Sequence, residues 1–385
     1  MTRKLRAVLV GLAVQGALLA SAGPALGAFP DVPQTYWAAR SITYVAAERD
    51  WMRDFDVAAF HPEDALLRRH LARALVRAFA PMDQPDQTVA FADLSPGEPF
   101  LAYAAIASTR GWMNAPGGVF SPDAPVSTID LDRALIRALG LGPEVKGLST
   151  IRTADGRRFR RPKGFAFLVL AHQLGLHFNH SDESRELAPT TWVRRADAAY
   201  AFHRATTVEP WRIESLRRYR SVVLPAMSED RRQAVEFALS LSGHPYVYAG
   251  EWAEPTGPDY CCGPQPVGGF DCSGFAWWVL RAADGTWDNS SFRPYPGWTL
   301  AERSSRHMAR AARPRISFAN ISPTDLMFFD TDGVGRGWQS VDHVSLALGN
   351  GWMIHSSSGR DGVSIERVSD GWWRGRFKWS RRIVP

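Results

Sequence analysis

The chain has 385 residues, 45% hydrophobic, 22% charged and 11% aromatic, with a formal charge of +6. These proportions fit two or three globular domains and exclude wholesale disorder, while three cysteines exclude a disulfide-stapled scaffold or a Cys-rich zinc module. Only 4 of the 45 basic residues are Lys, an Arg bias that reflects coding, so no nucleic-acid partner is implied. Residues 1–27 carry Arg3, Lys4 and Arg6, an apolar run from Ala7 to Ala20, then small residues. That is the pattern of a secretory signal peptide, and the run falls short of the roughly 20 residues that span a bilayer. No later stretch is long enough to span, so the expected mature chain is exported, either soluble or held at the wall by its own domains.

Three degenerate repeats follow. The first opens Phe29-Pro30-Asp31-Val32, continues Tyr36-Trp37-Ala38 and Phe60-His61-Pro62, and ends in a helical run from Arg68-Arg69 to Arg77-Ala78. The second opens Phe91-Ala92-Asp93-Leu94 and reads Phe120-Ser121-Pro122 before a run to Arg137-Ala138. The third lacks the opening but keeps Leu187-Ala188-Pro189, Arg194-Arg195-Ala196-Asp197 and Arg204-Ala205. Each unit reads as helix, loop and second helix; in unit one Leu71, Leu75, Val76 and Phe79 make one buried face. The expected boundaries are 28–88, 89–145 and 146–207, with an Arg-rich linker over 208–227.

This pattern resembles the S-layer homology (SLH) domain, in which three copies form a three-lobed helical bundle. The resemblance implies docking on an anionic secondary cell-wall polymer, with Trp37, Arg68, Arg69 and Arg195 as the polymer-binding candidates. A guanidinium at a helix N-terminus suits an anionic carboxylate, because free N–H groups and the cation converge there. Unit two has Thr128 at the Arg position and no counterpart of Trp37. The alternative is that these arginines are solvated helix-start residues. A solvated loop is expected over Arg152–Lys163.

From Ser228 the pattern changes. Ser228 is an N-cap candidate for a helix with an apolar face of Ala234, Val235, Phe237, Ala238 and Leu241, stopped by Gly243. Tyr246-Val247-Tyr248-Ala249-Gly250 and a Gly/Pro-rich loop with Cys261-Cys262 come next. Phe270-Asp271-Cys272-Ser273-Gly274 then leads straight into an apolar helix. Cys272 thus starts a helix, where exposed N–H groups and the dipole lower a thiol pKa and favour a nucleophile. Asp325–Phe329, Val341–Leu348 and Trp352–His355 read as strands, the last two as a hairpin turning at Gly349-Asn350. In that register His343 faces Ser356, or His355 if a residue bulges, and the two histidines are cross-strand neighbours on one face. A thiol with two adjacent histidines makes a nucleophile, a base and an orienter.

In order, these motifs resemble the NlpC/P60 family of cell-wall cysteine peptidases over residues 228–385. The resemblance implies an α+β, papain-like core: a Cys-bearing helix on an antiparallel sheet carrying both histidines. It implies Cys272 as nucleophile, His343 as general base and His355 as the third polar residue. Tyr246, Asp271 and Ser273 would line the substrate site, with Asp271 suited to a free amino group. The implied substrate is the peptide stem of peptidoglycan, at the bond between D-glutamate and a diamino acid; no cofactor or metal is implied. The sequence departs from the family at Tyr248-Ala249-Gly250, where Trp-Gly-Gly is usual, and at Thr324-Asp325, where Gly-Asp is usual. A long segment from Asp284 onward is expected to include a loop that narrows the cleft. Cys261 and Cys262 are expected to be loop thiols, free or bridged. Two other functions stay open: a non-catalytic wall-binding protein, and an amidase or acyltransferase on the same fold.

Overall fold

A computed structural model of the chain describes residues 28–53, 58–252, 268–282, 300–369 and 371–385. The expected signal peptide (residues 1–27), Cys261-Cys262 and residues 283–299 of the expected cleft loop lie outside the described residues. In chain order the first half carries α1 (Ala39–Ile42, continued by a π-helical turn), α2 (Arg68–Phe79), α3 (Leu101–Thr109), α4 (Thr128–Ala138), α5 (Gly142–Ser149), β1 (Arg152–Thr153), α6 (Phe165–Leu174) and α7 (Arg195–Thr206). Next come α8 (Pro210–Ser215), β2 (Val223–Leu224), α9 (Glu229–Ser240), β3 (Glu251–Trp252), β4 (Gly269–Phe270), α10 (Cys272–Ala282) and α11 (Ser305–Arg310). The chain ends with β5 (Leu326–Phe329), β6 (His343–Gly349), β7 (Trp352–Ser357), β8 (Gly362–Arg367), α12 (Gly371–Arg376) and β9 (Phe377–Arg381). No described helix is long and apolar enough to cross a membrane.

The repeat signature has a direct backbone cause. Asp31 accepts from the N–H groups of Phe60 (3.0 Å) and His61 (2.6 Å), and Asp93 accepts from Phe120 (2.8 Å) and Ser121 (2.6 Å). The opening aspartate of units one and two therefore satisfies the turn that carries its own Phe-x-Pro. The three units close on one another in a ring: Leu66 N–H donates to Val193 O, Val193 N–H to Val126 O, and Val126 N–H to Leu66 O. Around it each second helix starts on another unit's loop. Arg69 N–H donates to Pro122 O, Ile129 N–H to Pro189 O, and Ala196 N–H to Pro62 O. Three helix N-termini thus satisfy their orphan donors on neighbouring backbone, without side-chain caps. In α2, Leu71, Leu75 and Val76 are buried as expected, and Phe79 is half-buried against Trp112 and Phe202.

The segment read as a linker is packed structure. Leu216 and Tyr219 are buried, β2 pairs with β1 in parallel, and the Tyr219 hydroxyl donates to Ile365 O at 2.6 Å. Its arginines suggested a tether, but its apolar residues join the core, which runs continuously from the helical half into the sheet.

The second half is α+β. Its five-stranded antiparallel sheet has the order β8-β7-β6-β5-β9. Alternation sorts the side chains: Val344, Leu346, Ile354 and Ile365 join the core beneath α10, while Met327, Phe329, Ala347 and Met353 form a second apolar cluster on the opposite face. The hairpin turns at Asn350-Gly351, one residue later than expected. Both residues have positive φ, 52° and 76°, as a two-residue I′ turn requires, and the register slips by one between Ala347 and Gly349.

The two departures from the family pattern fall on strained backbone. Ala249 has φ 61° and buried Thr324 has φ 70°, both in the left-handed region that glycine adopts without a Cβ penalty.

Candidate active site

The corrected register continues from Leu346 opposite Ile354, which sets His343 opposite Ser357 and makes it diagonal to His355 on the same face. The hairpin therefore brings the rings together: His343 Nε2 lies 2.7 Å from His355 Nδ1, and the ring planes are nearly perpendicular. Trp373 packs against both, with centroids 5.0 Å away. Cys272 is the first residue of α10, which packs on β6 and β7. Its thiol donates weakly to Asp342 O at 3.9 Å, the carbonyl just before His343. Cys272, His343 and half-buried Tyr246 line one cleft of about 930 Å³.

Burial dominates the electrostatics. It pushes the Cys272 thiol up to about 12, and the Asp271 carboxylate adds to the rise. This outweighs the lowering expected at a helix N-terminus. Burial also holds His343 well below the ordinary imidazole range, helped by His355. It brings His355 down to about 4, against the opposing pull of Glu366. Burial thus favours a neutral thiol and neutral imidazoles over a preformed ion pair.

Asp271 and Ser273 are among the expected substrate-site residues that the structure uses otherwise. Asp271 Oδ1 accepts from Gly274 N–H (2.5 Å) and the Ser273 hydroxyl (3.0 Å), which caps the first turn of α10. Arg303 donates to Asp271 (3.3 Å) and Ser273 (2.9 Å), and forms an ion pair with buried Glu251. Neither residue is among those lining the cleft.

The wall-polymer candidates are also committed within the fold. Arg195 is buried; its Nε donates to Phe60 O at 2.8 Å, an Nη donates to Met52 O at 3.2 Å, and the guanidinium sits 4.7 Å over the Phe60 ring. Arg68 repeats this arrangement on unit two, with Nε to Phe120 O at 2.7 Å and the cation 5.0 Å over Phe120. The motif arginines are thus struts between units and not free helix-start cations, because each reaches across to the Phe-x-Pro turn of the unit it docks on. Arg69 pairs with Asp123 and lies over Phe100. Trp37 stacks on Phe178 at 4.5 Å and meets His180 edge-on, joining units one and three.

Sequence reasoning missed Glu366 and Gln173. Glu366 lies on β8, two residues past the partner of His355, and its Oε2 is 3.8 Å from His355 Nε2. Gln173 comes from α6, where with His172 it interrupts an apolar run (Phe165–Leu174) whose residues are nearly all buried. A buried amide in such a helix signals a partner elsewhere.

Residues 243–382 match the model of the NlpC/P60 family. S-layer protein sap of Bacillus anthracis is 26% identical over 172 residues, 44% of this chain and 20% of that protein. The probable peptidoglycan endopeptidase LytE of Bacillus subtilis is 29% identical over 127 residues, 33% of this chain and 31% of that protein. The chain therefore spans only about a fifth to a third of the length of these curated relatives. A solved NlpC/P60 family protein from Bacillus cereus aligns at 25% identity and TM-score 0.30, over 42% of this chain and 41% of that one. Residues 243–382 of this chain are an NlpC/P60 family domain.

Proposed function

We propose that the protein is a peptidoglycan hydrolase, a cysteine peptidase that opens stem peptides with Cys272 as nucleophile, His343 as base and His355 as its orienter. The observation that carries this is the convergence of one buried thiol and the His343 imidazole on a single cleft, with His355 linked directly behind His343. Similarity to a probable peptidoglycan endopeptidase supports the substrate class. With His343 Nε2 committed to His355, His343 Nδ1 is left to take the Cys272 proton as sulfur attacks the scissile carbonyl. The first turn of α10 offers N–H donors to the resulting oxyanion. Collapse expels the amine, which takes the proton from His343, and leaves a thioester. Water, deprotonated by His343, then attacks the thioester, releasing the new carboxylate and restoring the thiol. The bond proposed is that between D-glutamate and the diamino acid.

We further propose that the chain is secreted and that its three helical repeats, read as SLH-like, hold it on an anionic wall polymer. Similarity to an S-layer protein of Bacillus anthracis over 44% of this chain supports a surface location. Digestion of purified peptidoglycan by the full chain, with fragments identified by mass spectrometry, tests the hydrolase. Stem peptides cut after D-glutamate are expected from the wild type and none from Cys272→Ala. Glycan-chain cleavage, or equal digestion by the variant, would contradict it.

A further inference from the structure

His355 has one ring nitrogen on His343; its other, Nε2, is buried and has no hydrogen-bond partner among the described residues. What it faces is the Glu366 carboxylate, with Oε2 at 3.8 Å. Glu366 is 4% exposed and is gripped from several elements. The Trp373 indole N–H donates to Oε2, the Arg360 guanidinium donates to Oε1, and Gln173 Nε2 donates to Oε1 at 3.2 Å. Gln173 is 3% exposed and belongs to the helical half; the same amide also reaches Ser364 Oγ (3.1 Å) and Ile365 O (3.2 Å). Arg360 closes the loop by donating to the Gln173 carbonyl at 3.3 Å.

This arrangement decides where the protons sit. A carboxylate can only accept, so it selects the His355 tautomer with hydrogen on Nε2. His355 Nδ1 is then an acceptor and takes the hydrogen bond from His343 Nε2–H. His343 Nδ1 is left as the lone-pair base. Through His355 the same carboxylate stabilises the positive charge that forms on His343 during attack.

We propose that Glu366, held by Gln173 of the helical half, is the positioning residue that fixes the tautomers of the His343–His355 pair, so that the helical half completes the active site. The inference rests on the hydrolase reading above and deepens it. Burial would raise the Glu366 pKa, but His355, Arg360 and the Arg360 and Trp373 hydrogen bonds hold it below the usual carboxylate range, so it is charged at neutral pH.

The test is the pH profile of kcat/KM for the full chain on one stem-peptide substrate, with folding of each variant checked by thermal melting. Glu366→Gln removes the charge at nearly constant volume. It is expected to lower kcat/KM about tenfold to a hundredfold and to move the acidic limb down by about one pH unit, because the imidazolium loses its counter-charge. Gln173→Leu leaves the carboxylate less well held, so it protonates sooner; the expected loss is smaller, about threefold to tenfold, with the acidic limb moved up. The swap Gln173→Glu with Glu366→Gln keeps the buried hydrogen bond but takes the charge away from His355. It is expected to melt closer to wild type than either single variant and to stay as slow as Glu366→Gln. A Glu366→Gln profile superimposable on wild type would overturn the proposal, as would a swap that restored turnover along with stability. If Glu366→Gln does not fold, the limb in Gln173→Leu decides: an upward move supports the proposal and an unmoved limb overturns it. Cys272→Ala separates the two levels. Activity in that variant would sink the hydrolase reading, whereas an inactive Cys272→Ala beside a wild-type-like Glu366→Gln would sink this inference alone.

Discussion

Arg195 and His343 are buried to the same degree, 6% and 8% exposed, and both looked functional in the sequence. Arg195 has its donors on Phe60 O and Met52 O, and its face on an aromatic ring. His343 has one nitrogen on His355 and its other edge toward a cleft. A helical repeat places its arginines where three helix starts meet foreign loops, so their geometry is set by unit-to-unit packing. The open end of a hairpin beside a helix N-terminus leaves a side chain tied on one side and open on the other. Burial of a charged or titratable side chain therefore separates strut from reagent only when its remaining atoms are followed.

The comparison breaks first at the reactive residues. Cys272→Ser is expected to abolish turnover and His343→Ala to lower it roughly 10²- to 10⁴-fold, because no proton acceptor remains. His355→Asn keeps an amide oxygen that can accept from His343 and is expected to retain measurable activity, about a tenth to a hundredth of wild type. Equal loss in folded His355→Asn and His343→Ala would remove the orienter role. The measurement is turnover on one stem-peptide substrate, with circular dichroism as the folding check.

The pH dependence sharpens the same contrast. As the proposed base, His343 must be neutral to act, and its pKa in the folded chain is depressed by burial. Activity should persist as pH falls below 6.5, the ordinary imidazole value, and disappear only when the lowered pKa is crossed. The thiol is shifted the other way. Alkylation of Cys272 in the resting protein should therefore keep accelerating above pH 8, without a plateau near neutrality. A plateau between pH 6 and 8 would mean a preformed thiolate and would contradict the buried resting thiol.

The catalytic half was the more legible in sequence, for physical reasons. Its strands and the Cys272 helix follow local periodicity, and both histidines sit two residues apart in pairing register. The turn was misplaced by one residue because Gly349-Asn350 and Asn350-Gly351 both supply flexible residues; only the second gives an I′ pair with Asn first. Glu366 stayed hidden because a glutamate on a strand reads as solvent-facing, and its partners Gln173, Arg360 and Trp373 come from three separate elements. The struts were misread because an arginine at a helix start looks free until the loop of another unit is set against it. Likewise, Leu216 and Tyr219 lay within an Arg-rich stretch that resembled a tether.

Smaller effects come from the two positive-φ positions. Ala249→Gly and Thr324→Gly relieve a left-handed backbone, and each is expected to stabilise the chain by about 0.5–1 kcal/mol. Thr324→Gly falls at the lower end, because the Thr324 hydroxyl donates to Pro323 O. Denaturant unfolding with turnover measured in parallel checks this; unchanged or lower stability in both would mean the φ values carry no cost.

Melting temperature and turnover measured side by side on Arg195→Ala and His343→Ala test the central contrast most directly. Arg195→Ala leaves buried carbonyls without their donor, so a loss of about 2–4 kcal/mol is expected, seen as a melting point several degrees lower, with turnover of the folded fraction unchanged. His343→Ala should melt near wild type and be nearly inactive. The account would be contradicted if Arg195→Ala melted like wild type while losing wall binding, or if His343→Ala lost stability and kept its turnover.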